Sequence, residues 1–97
     1  MRGVFYKAKA FNQSLKNWDV SSVTDMKWMF YDADSFNRSL NNWDVGNVTN
    51  MNWMFGKASA FKDQNLSSWE VSKIPLGKHE YFMQNAGDGN IEPNWKK

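Results

Sequence analysis

The feature that most constrains this 97-residue chain is an internal repeat with a period of about 25 residues. The matches keep one register without a gap: 11–12 with 36–37, 17–20 with 42–45, 23–24 with 48–49, and 28–30 with 53–55. A third copy is weaker, because Trp69 follows Trp43 by 26 positions, which places an insertion between Phe61 and Leu66. In a sequence with this period, each copy forms one unit whose apolar face is covered by its neighbours.

Each copy contains two apolar patterns of different period. Trp18 and Val20 alternate with polar residues, which predicts a short strand. Thr24 then stands where a helix N-cap is expected, and apolar residues follow at spacings of three and four. These residues are Met26, Met29, Phe30 and Ala33. The sequence therefore predicts an α/β solenoid of about three repeats in the leucine-rich-repeat format, with short parallel strands on one face and short helices on the other.

One domain is expected over 1–97. The predicted divisions are repeat 1 at about 5–29, repeat 2 at about 30–54, a degenerate repeat 3 at about 55–80, and a C-terminal cap or tail at 81–97. A third helix is expected between Leu76 and Gln84, and Trp95 is expected to fold back as a lid. A further series of tryptophans is assigned to the core: Trp18, Trp43 and Trp69.

Composition argues against several classes of function. Twelve basic and ten acidic residues are scattered, so neither a basic stripe nor a nucleic-acid partner is predicted. Without cysteine there are no disulfides or thiolate metal sites, and no apolar run is long enough for a membrane span. The single histidine has no recognisable catalytic partners, so we expect no enzyme, no cofactor and no metal. The first residues lack a signal-peptide core, and the cellular location stays open.

The motif residues resemble the BspA-like leucine-rich repeats, in the form of about 25 residues found in mycoplasma and other bacterial surface lipoproteins. The matching text is Phe-Asn-Gln-Ser-Leu at 11–15, Trp-Asp-Val-Ser at 18–21, Val-Thr-x-Met at 23–26 and Met-Phe at 29–30. The resemblance covers about 4–74. It implies a right-handed solenoid, a bacterial surface location, and a role in adhesion or protein interaction, without catalytic residues.

The first candidate binding surface is the predicted strand face. Its members are Asn17, Asp19, Asn42, Asp44, Ser68 and Glu70. Three acidic side chains would lie about 4.8 Å apart on adjacent strands. Either they form a ligand stripe for a basic partner or a weak cation site, or each carboxylate accepts hydrogen bonds from the turn that follows it.

The second candidate surface is the predicted helix face, which carries Trp28 and Trp53. These rings point away from the apolar helix face, and His79 continues their column by simple register. If they are exposed they mark a contact or oligomer surface, and otherwise each ring covers its neighbouring repeat.

The expected function is a non-catalytic protein–protein interaction or adhesion module with a protein partner. Two alternatives remain open. One is a carbohydrate-binding module that uses the Trp28 and Trp53 strip. The other is a solenoid fragment that forms a homodimer through its open ends, for example through 1–15, because open ends leave apolar surface and strand edges uncovered.

Overall fold

The computed structural model describes residues 1–95, and Lys96 and Lys97, which end the predicted tail, lie outside them. Turns make up the backbone: these 95 residues contain no α-helix and no strand, only two isolated parallel bridges, Asp25 with Asn50 and Asn65 with Ile91. The prediction of an α/β solenoid of the leucine-rich-repeat kind is therefore wrong, and so is that of a third helix between Leu76 and Gln84. The chain folds into a compact body with principal extents of 32 × 25 × 21 Å.

Residues in the left-handed backbone region explain why the segment 26–33 is not a helix. Trp28 has a φ of 61° and Asp32 has a φ of 57°. The N–H of Met29 donates to the carbonyl of Met26 at 3.2 Å, which closes a four-residue turn with Trp28 as its third residue. A positive φ at that position is typical of a type II turn, and a left-handed residue interrupts a right-handed helix. Successive turns thus generate the spacings of three and four that resemble a helix face.

The remaining N–H groups of this segment bond to the next copy of the repeat. The bonds run from Met26 to Asn50 at 2.9 Å, Trp28 to Asn52 at 3.1 Å, Phe30 to Met54 at 2.8 Å and Asp32 to Gly56 at 2.7 Å. Every second N–H group therefore bonds to the next copy, and the N–H groups between them close turns within their own copy. In an α-helix these amides would instead donate to the carbonyl four residues earlier, so the two arrangements exclude each other.

Hydrogen bonds of this kind divide the described chain into four layers. We number them layer 1 (1–25), layer 2 (26–50), layer 3 (51–77) and layer 4 (78–95). Near its start each layer contains a run of turns, which we call its turn segment, at 2–7, 27–32, 52–57 and 80–85. Equivalent left-handed residues occur in all four turn segments: Gly3, Trp28, Trp53 and Tyr81. The last interval is longer by three residues: one is the insertion between Phe61 and Leu66, and two lie in the loop around Pro75 and Leu76, where Leu76 is almost fully exposed.

Aromatic rings stack from layer to layer in the core. Two columns have centroid separations of 5.4 and 5.3 Å for Phe5, Phe30 and Phe55, and of 5.8 and 6.0 Å for Phe11, Phe36 and Phe61. Buried Met, Leu and Val side chains fill the space around them. Ring faces at these distances combine apolar burial with favourable offset stacking.

The tryptophans assigned to the core do not behave alike. Trp43 and Trp69 are buried, and their indole N–H groups donate to the carbonyls of Leu15 and Leu40 in the preceding layer, at 3.0 and 2.9 Å. Trp18 is 40% exposed, and its ring contacts Phe5. The core assignment is therefore wrong for Trp18, because in the described structure no layer precedes layer 1 to cover its ring.

The C-terminal segment follows the path of the preceding layers. The N–H of Leu66 donates to the carbonyl of Ile91, and the N–H of Ile91 donates to the carbonyl of Gln64, both at 2.8 Å. Trp95 then packs edge-on against Phe82 with a centroid separation of 5.0 Å. Trp95 thus extends the tryptophan series into layer 4, a relation that the sequence analysis missed.

Candidate functional site

Five aromatic side chains on the turn segments form a continuous surface, which we call the aromatic strip. Its members are Tyr6, Trp28, Tyr31, Trp53 and Tyr81. The ring centroids are 6.2 Å apart for Tyr6 and Trp28, 5.3 Å for Tyr6 and Tyr31, 5.7 Å for Tyr31 and Trp53, and 4.5 Å for Trp53 and Tyr81. The strip therefore crosses all four layers.

A glycine provides the space in which the middle of the strip packs. Gly56 stands one repeat after Tyr31 and two repeats after Tyr6, where a third tyrosine would continue the series. A Cβ on Gly56 would lie 2.7 Å from Cε3 of Trp53 and 2.9 Å from Cδ2 of Tyr31. The absence of a side chain at this position thus lets the Trp53 ring lie edge-on against Tyr31.

The strip is most accessible at its two ends. Tyr6 is 45% exposed and Tyr81 is 55% exposed, whereas Trp28, Tyr31 and Trp53 are half-buried. The two tryptophans predicted as a surface column are therefore partly covered by neighbouring rings and partly open to solvent. His79 does not continue their column: it stacks on Trp95 at 4.2 Å, and Tyr81 takes the predicted place because of the longer loop before layer 4.

Lysine side chains lie over the rings of the strip. The Nζ atoms of Lys27, Lys7 and Lys57 are 4.3 Å from the Trp28 ring centroid, 5.5 Å from that of Tyr6 and 5.9 Å from that of Tyr31, respectively. Such contacts attract the ammonium to the electron-rich ring face.

Three carboxylates of layers 1 and 2 are paired with basic side chains. Asp25 bonds to Arg2 at 2.8 Å, and Lys9 bonds to Asp32 at 2.7 Å and to Asp34 at 3.1 Å. The hydrogen bond from Lys9 lowers the pKa of Asp32, and the same contact raises the pKa of Lys9. The three lysines therefore give the part of the strip formed by Tyr6, Trp28 and Tyr31 a positive character.

The acidic residues of the predicted strand face close local turns. Oδ1 of Asp19 accepts the Ser21 hydroxyl at 2.6 Å and the Ser21 N–H at 3.0 Å, and Oδ1 of Asp44 accepts the Gly46 N–H at 3.0 Å. Hydrogen bonds from Ser21 lower the pKa of Asp19. Glu70 accepts the N–H of the residue two positions later at 3.3 Å. Each carboxylate therefore accepts a hydrogen bond from the turn that follows it, as one of the two readings predicts, and a ligand on this face stays a prediction.

These acidic residues do not converge on a metal site. Nowhere in residues 1–95 do three or more His, Cys, Asp or Glu side chains gather in a way that could hold a metal ion. The exposed carboxylates instead follow one another along the side of the molecule, each with its own turn.

Other polar residues of that face tie layers together. The Asn42 amide donates to the carbonyl of Lys16 at 2.9 Å, and the Ser68 hydroxyl donates to the carbonyl of Asn41 at 3.1 Å. Asn17 occupies the equivalent place in layer 1 and is exposed. Much of this face is thus engaged in internal hydrogen bonds, so the aromatic strip is the better candidate for contact with another molecule.

An open cavity of about 370 Å³ adjoins the far end of the strip, a feature that the sequence did not predict. It is lined by layer 4, including His79, Tyr81, Met83 and Asn85, and by Glu92 of the C-terminal segment. Oε1 of Glu92 accepts the indole N–H of Trp95 at 2.8 Å. The cavity therefore lies at the end of the stack of layers.

A family model described as "Mycoplasma protein of unknown function, DUF285" matches residues 1–95. The chain belongs to this family. DUF285 membership corrects the resemblance to the BspA-like leucine-rich repeats, since the matching family model is a different one. No curated protein and no solved structure matches this DUF285 chain. Over the part of the chain that the structure describes, no helix has the length and apolar character to cross a membrane.

Proposed function

We propose that this DUF285 chain is a non-catalytic interaction module that binds a protein partner through the aromatic strip. The observation that carries the proposal is the unbroken contact of five rings across all four layers, with Tyr6 and Tyr81 exposed at its ends. Tyrosine and tryptophan are over-represented among the residues that dominate binding energy at protein interfaces. Rings held by their neighbours also lose little conformational freedom when a partner binds.

The charge around the strip indicates the chemistry of the partner. Lys7, Lys27 and Lys57 lie over the rings, whereas nearby Asp25 and Asp32 are paired with basic side chains. A segment that combines acidic and apolar side chains would meet both the ammonium groups and the ring faces.

Selection of peptides from a displayed random library by the immobilised chain tests this proposal. We expect enrichment of acidic segments with apolar or aromatic residues, and at least about a tenfold loss of affinity in Tyr6→Ser/Tyr81→Ser, because each truncated contact ring typically costs 1 kcal/mol or more. Both substituted residues are exposed, so the fold should survive.

The matched control is Asp19→Lys/Asp44→Lys, which alters the opposite candidate face and should leave peptide affinity unchanged. Loss of binding in this control, with retention in the tyrosine variant, would transfer the proposed site to the acidic face. A library that yields no enriched peptide would count against protein binding.

A carbohydrate ligand is a second candidate for the same strip. Trp53 and Tyr81 stack face to face, with 4.5 Å between their centroids and 21° between their planes, so the exposed side of the Tyr81 ring, held in place by Trp53, is a surface of the kind that a sugar ring covers. A glycan array probed with the wild-type chain and with Tyr6→Ser/Tyr81→Ser separates the two ligand classes. Binding of glycans without binding of peptides would favour the carbohydrate.

Self-association through the ends of the stack is a further candidate, independent of the strip. At the layer 1 end Val4 is 49% exposed, although the equivalent Met29 and Met54 are fully buried. Phe5 and Phe11 stack at 4.2 Å beside Trp18, which gives this end an aromatic surface. Sedimentation velocity over a range of concentrations tests it, and a monomer throughout would remove it.

A further inference from the structure

The two ends of the stack expose opposite halves of the same hydrogen-bonding pattern. In the turn segments, alternate N–H groups of one layer donate to carbonyls of the next layer, as from Gly3 to Lys27 and from Trp53 to Glu80, both at 3.0 Å. Donors therefore point toward layer 4 and acceptors toward layer 1. This polarity is the same at each of the three boundaries between layers.

At the layer 4 end, a row of donors lacks acceptors. By register, the N–H groups of His79, Tyr81, Met83 and Asn85 correspond to those that donate onward in layers 1, 2 and 3. Within residues 1–95 none of these four N–H groups has a hydrogen-bond acceptor. The same four residues line the open cavity of about 370 Å³.

At the layer 1 end, the corresponding acceptors lack donors. The carbonyls of Arg2, Val4 and Tyr6 are equivalent to those of 27, 29 and 31, which accept bonds from the preceding layer. In the described part of the chain, these three carbonyls accept no hydrogen bond. Uncovered rows of this kind favour pairing with another chain.

We propose that two copies of this chain associate head to tail, with layer 1 of one copy placed on layer 4 of the other. Only this arrangement matches donors with acceptors, since two layer 1 ends would oppose carbonyl to carbonyl and two layer 4 ends would oppose N–H to N–H. The proposal rests on the self-association proposed above and specifies its polarity. A head-to-tail contact leaves one free end of each kind, so growth continues beyond the dimer.

Side chains at the two ends match in charge and in apolar surface. Glu80 holds in layer 4 the position that Arg2 holds in layer 1, so head-to-tail stacking brings opposite charges into adjacent layers. Met83 is half-buried in layer 4, whereas the equivalent Phe30 and Phe55 are fully buried. Val4 is exposed at the other end for the same reason, and a second copy would cover both.

Two variants, each blocked at one end, provide the test. Val4→Asp places a carboxylate on the layer 1 end, and Met83→Asp places one on the layer 4 end. Val4 is 49% exposed and Met83 lines the open cavity, so neither carboxylate is enclosed in the separate molecule. Ser35→Asp makes the same addition of charge at an exposed position of layer 2 and serves as the matched control.

In analytical ultracentrifugation, the wild type and Ser35→Asp should show a mean mass that rises with concentration beyond twice the 11.3 kDa of the monomer. Each blocked variant alone should remain monomeric over the same range. An equimolar mixture of the two should form a species of two chains that grows no further, because each variant retains one complementary end. Higher salt should weaken the association, since opposite charges meet.

A closed dimer of the wild type, or a homodimer of either blocked variant alone, would overturn the head-to-tail polarity while self-association stands. A monomeric wild type at every concentration would overturn both. Neither outcome bears on the aromatic strip, whose peptide-binding test is separate.

Discussion

The same four residues, Asn-Trp-Asp-Val, occur at 17–20 and at 42–45, and their two tryptophans lie in different surroundings. Trp18 is 40% exposed, whereas Trp43 is 4% exposed and donates its indole N–H to the carbonyl of Leu15. In both places the aspartate accepts the N–H of the residue two positions later. The local sequence thus determines the turn, and the neighbouring layer determines the burial.

The largest expected difference between the two sites is in their truncation to alanine. Trp43→Ala should lower the free energy of unfolding by about 3–5 kcal/mol, because it leaves a large cavity and removes the donor to Leu15. Trp18→Ala should cost only about 1 kcal/mol, since its ring is already partly hydrated. Urea denaturation followed by near-ultraviolet circular dichroism, which reports on the packed aromatic side chains, measures both. Equal losses would show that Trp18 is covered in solution. Because self-association could also cover Trp18, the measurement is made at low protein concentration.

A smaller effect is expected where the inner layers pack most closely. Gly56→Ala places a Cβ within 3 Å of the Trp53 and Tyr31 rings and should cost about 1–3 kcal/mol through overpacking. The displaced Trp53 ring should change the tryptophan fluorescence and weaken peptide binding. Gly3 holds in layer 1 the position that Trp53 holds in layer 3, and a Cβ on Gly3 would lie 3.7 Å from its nearest neighbour. Overpacking is therefore absent at Gly3, although its positive φ would strain any other residue. An unchanged spectrum and stability in Gly56→Ala would contradict the assigned packing of the strip.

The smallest expected effect concerns acid stability at the exposed turn of layer 1. Hydrogen bonds from the Ser21 hydroxyl and N–H lower the pKa of Asp19 in the folded state. Its contribution to stability is therefore complete above the unfolded pKa of about 3.9 and is lost as pH falls through the lower folded value. Asp19→Asn should thus be less stable than the wild type near neutral pH, and the difference should shrink below about pH 4. Thermal melts of both proteins across that range measure it, and a difference independent of pH would contradict the role of the carboxylate.

Some of the contacts follow from the sequence because the repeat keeps its register. The alignment of Phe11 with Phe36 and of Trp18 with Trp43 indicates which residues recur at equivalent places, and the structure stacks the rings of the first pair. The sequence predicts only part of the aromatic strip. The helix-face argument places Trp28 and Trp53 in one column, whereas it does not single out Tyr6 and Tyr31, although they too are one repeat apart.

The secondary structure could not be read from the same pattern. Apolar residues at spacings of three and four fit a helix, and they also fit successive turns in which Trp28 and Asp32 take a left-handed conformation. Tryptophan gives no indication of a positive φ, and aspartate, although it adopts one more often than most residues, indicates it far less strongly than glycine does. The deciding bonds run between layers, from Phe30 to Met54 for example, and a spacing argument within one copy contains no information about them.

The loop around Pro75 and Leu76 shows how the molecule absorbs a change of chain length. Its additional residues project into solvent, while the turn segments on either side keep their bonds, as between Phe55 and Phe82 at 2.9 Å. The hydrogen bonds between turn segments thus fix the alignment of the layers, and the number of residues that connect one turn segment to the next does not affect it. This loop is consequently a suitable position for an inserted epitope or a fluorescent label, which would report on the molecule without touching the aromatic strip.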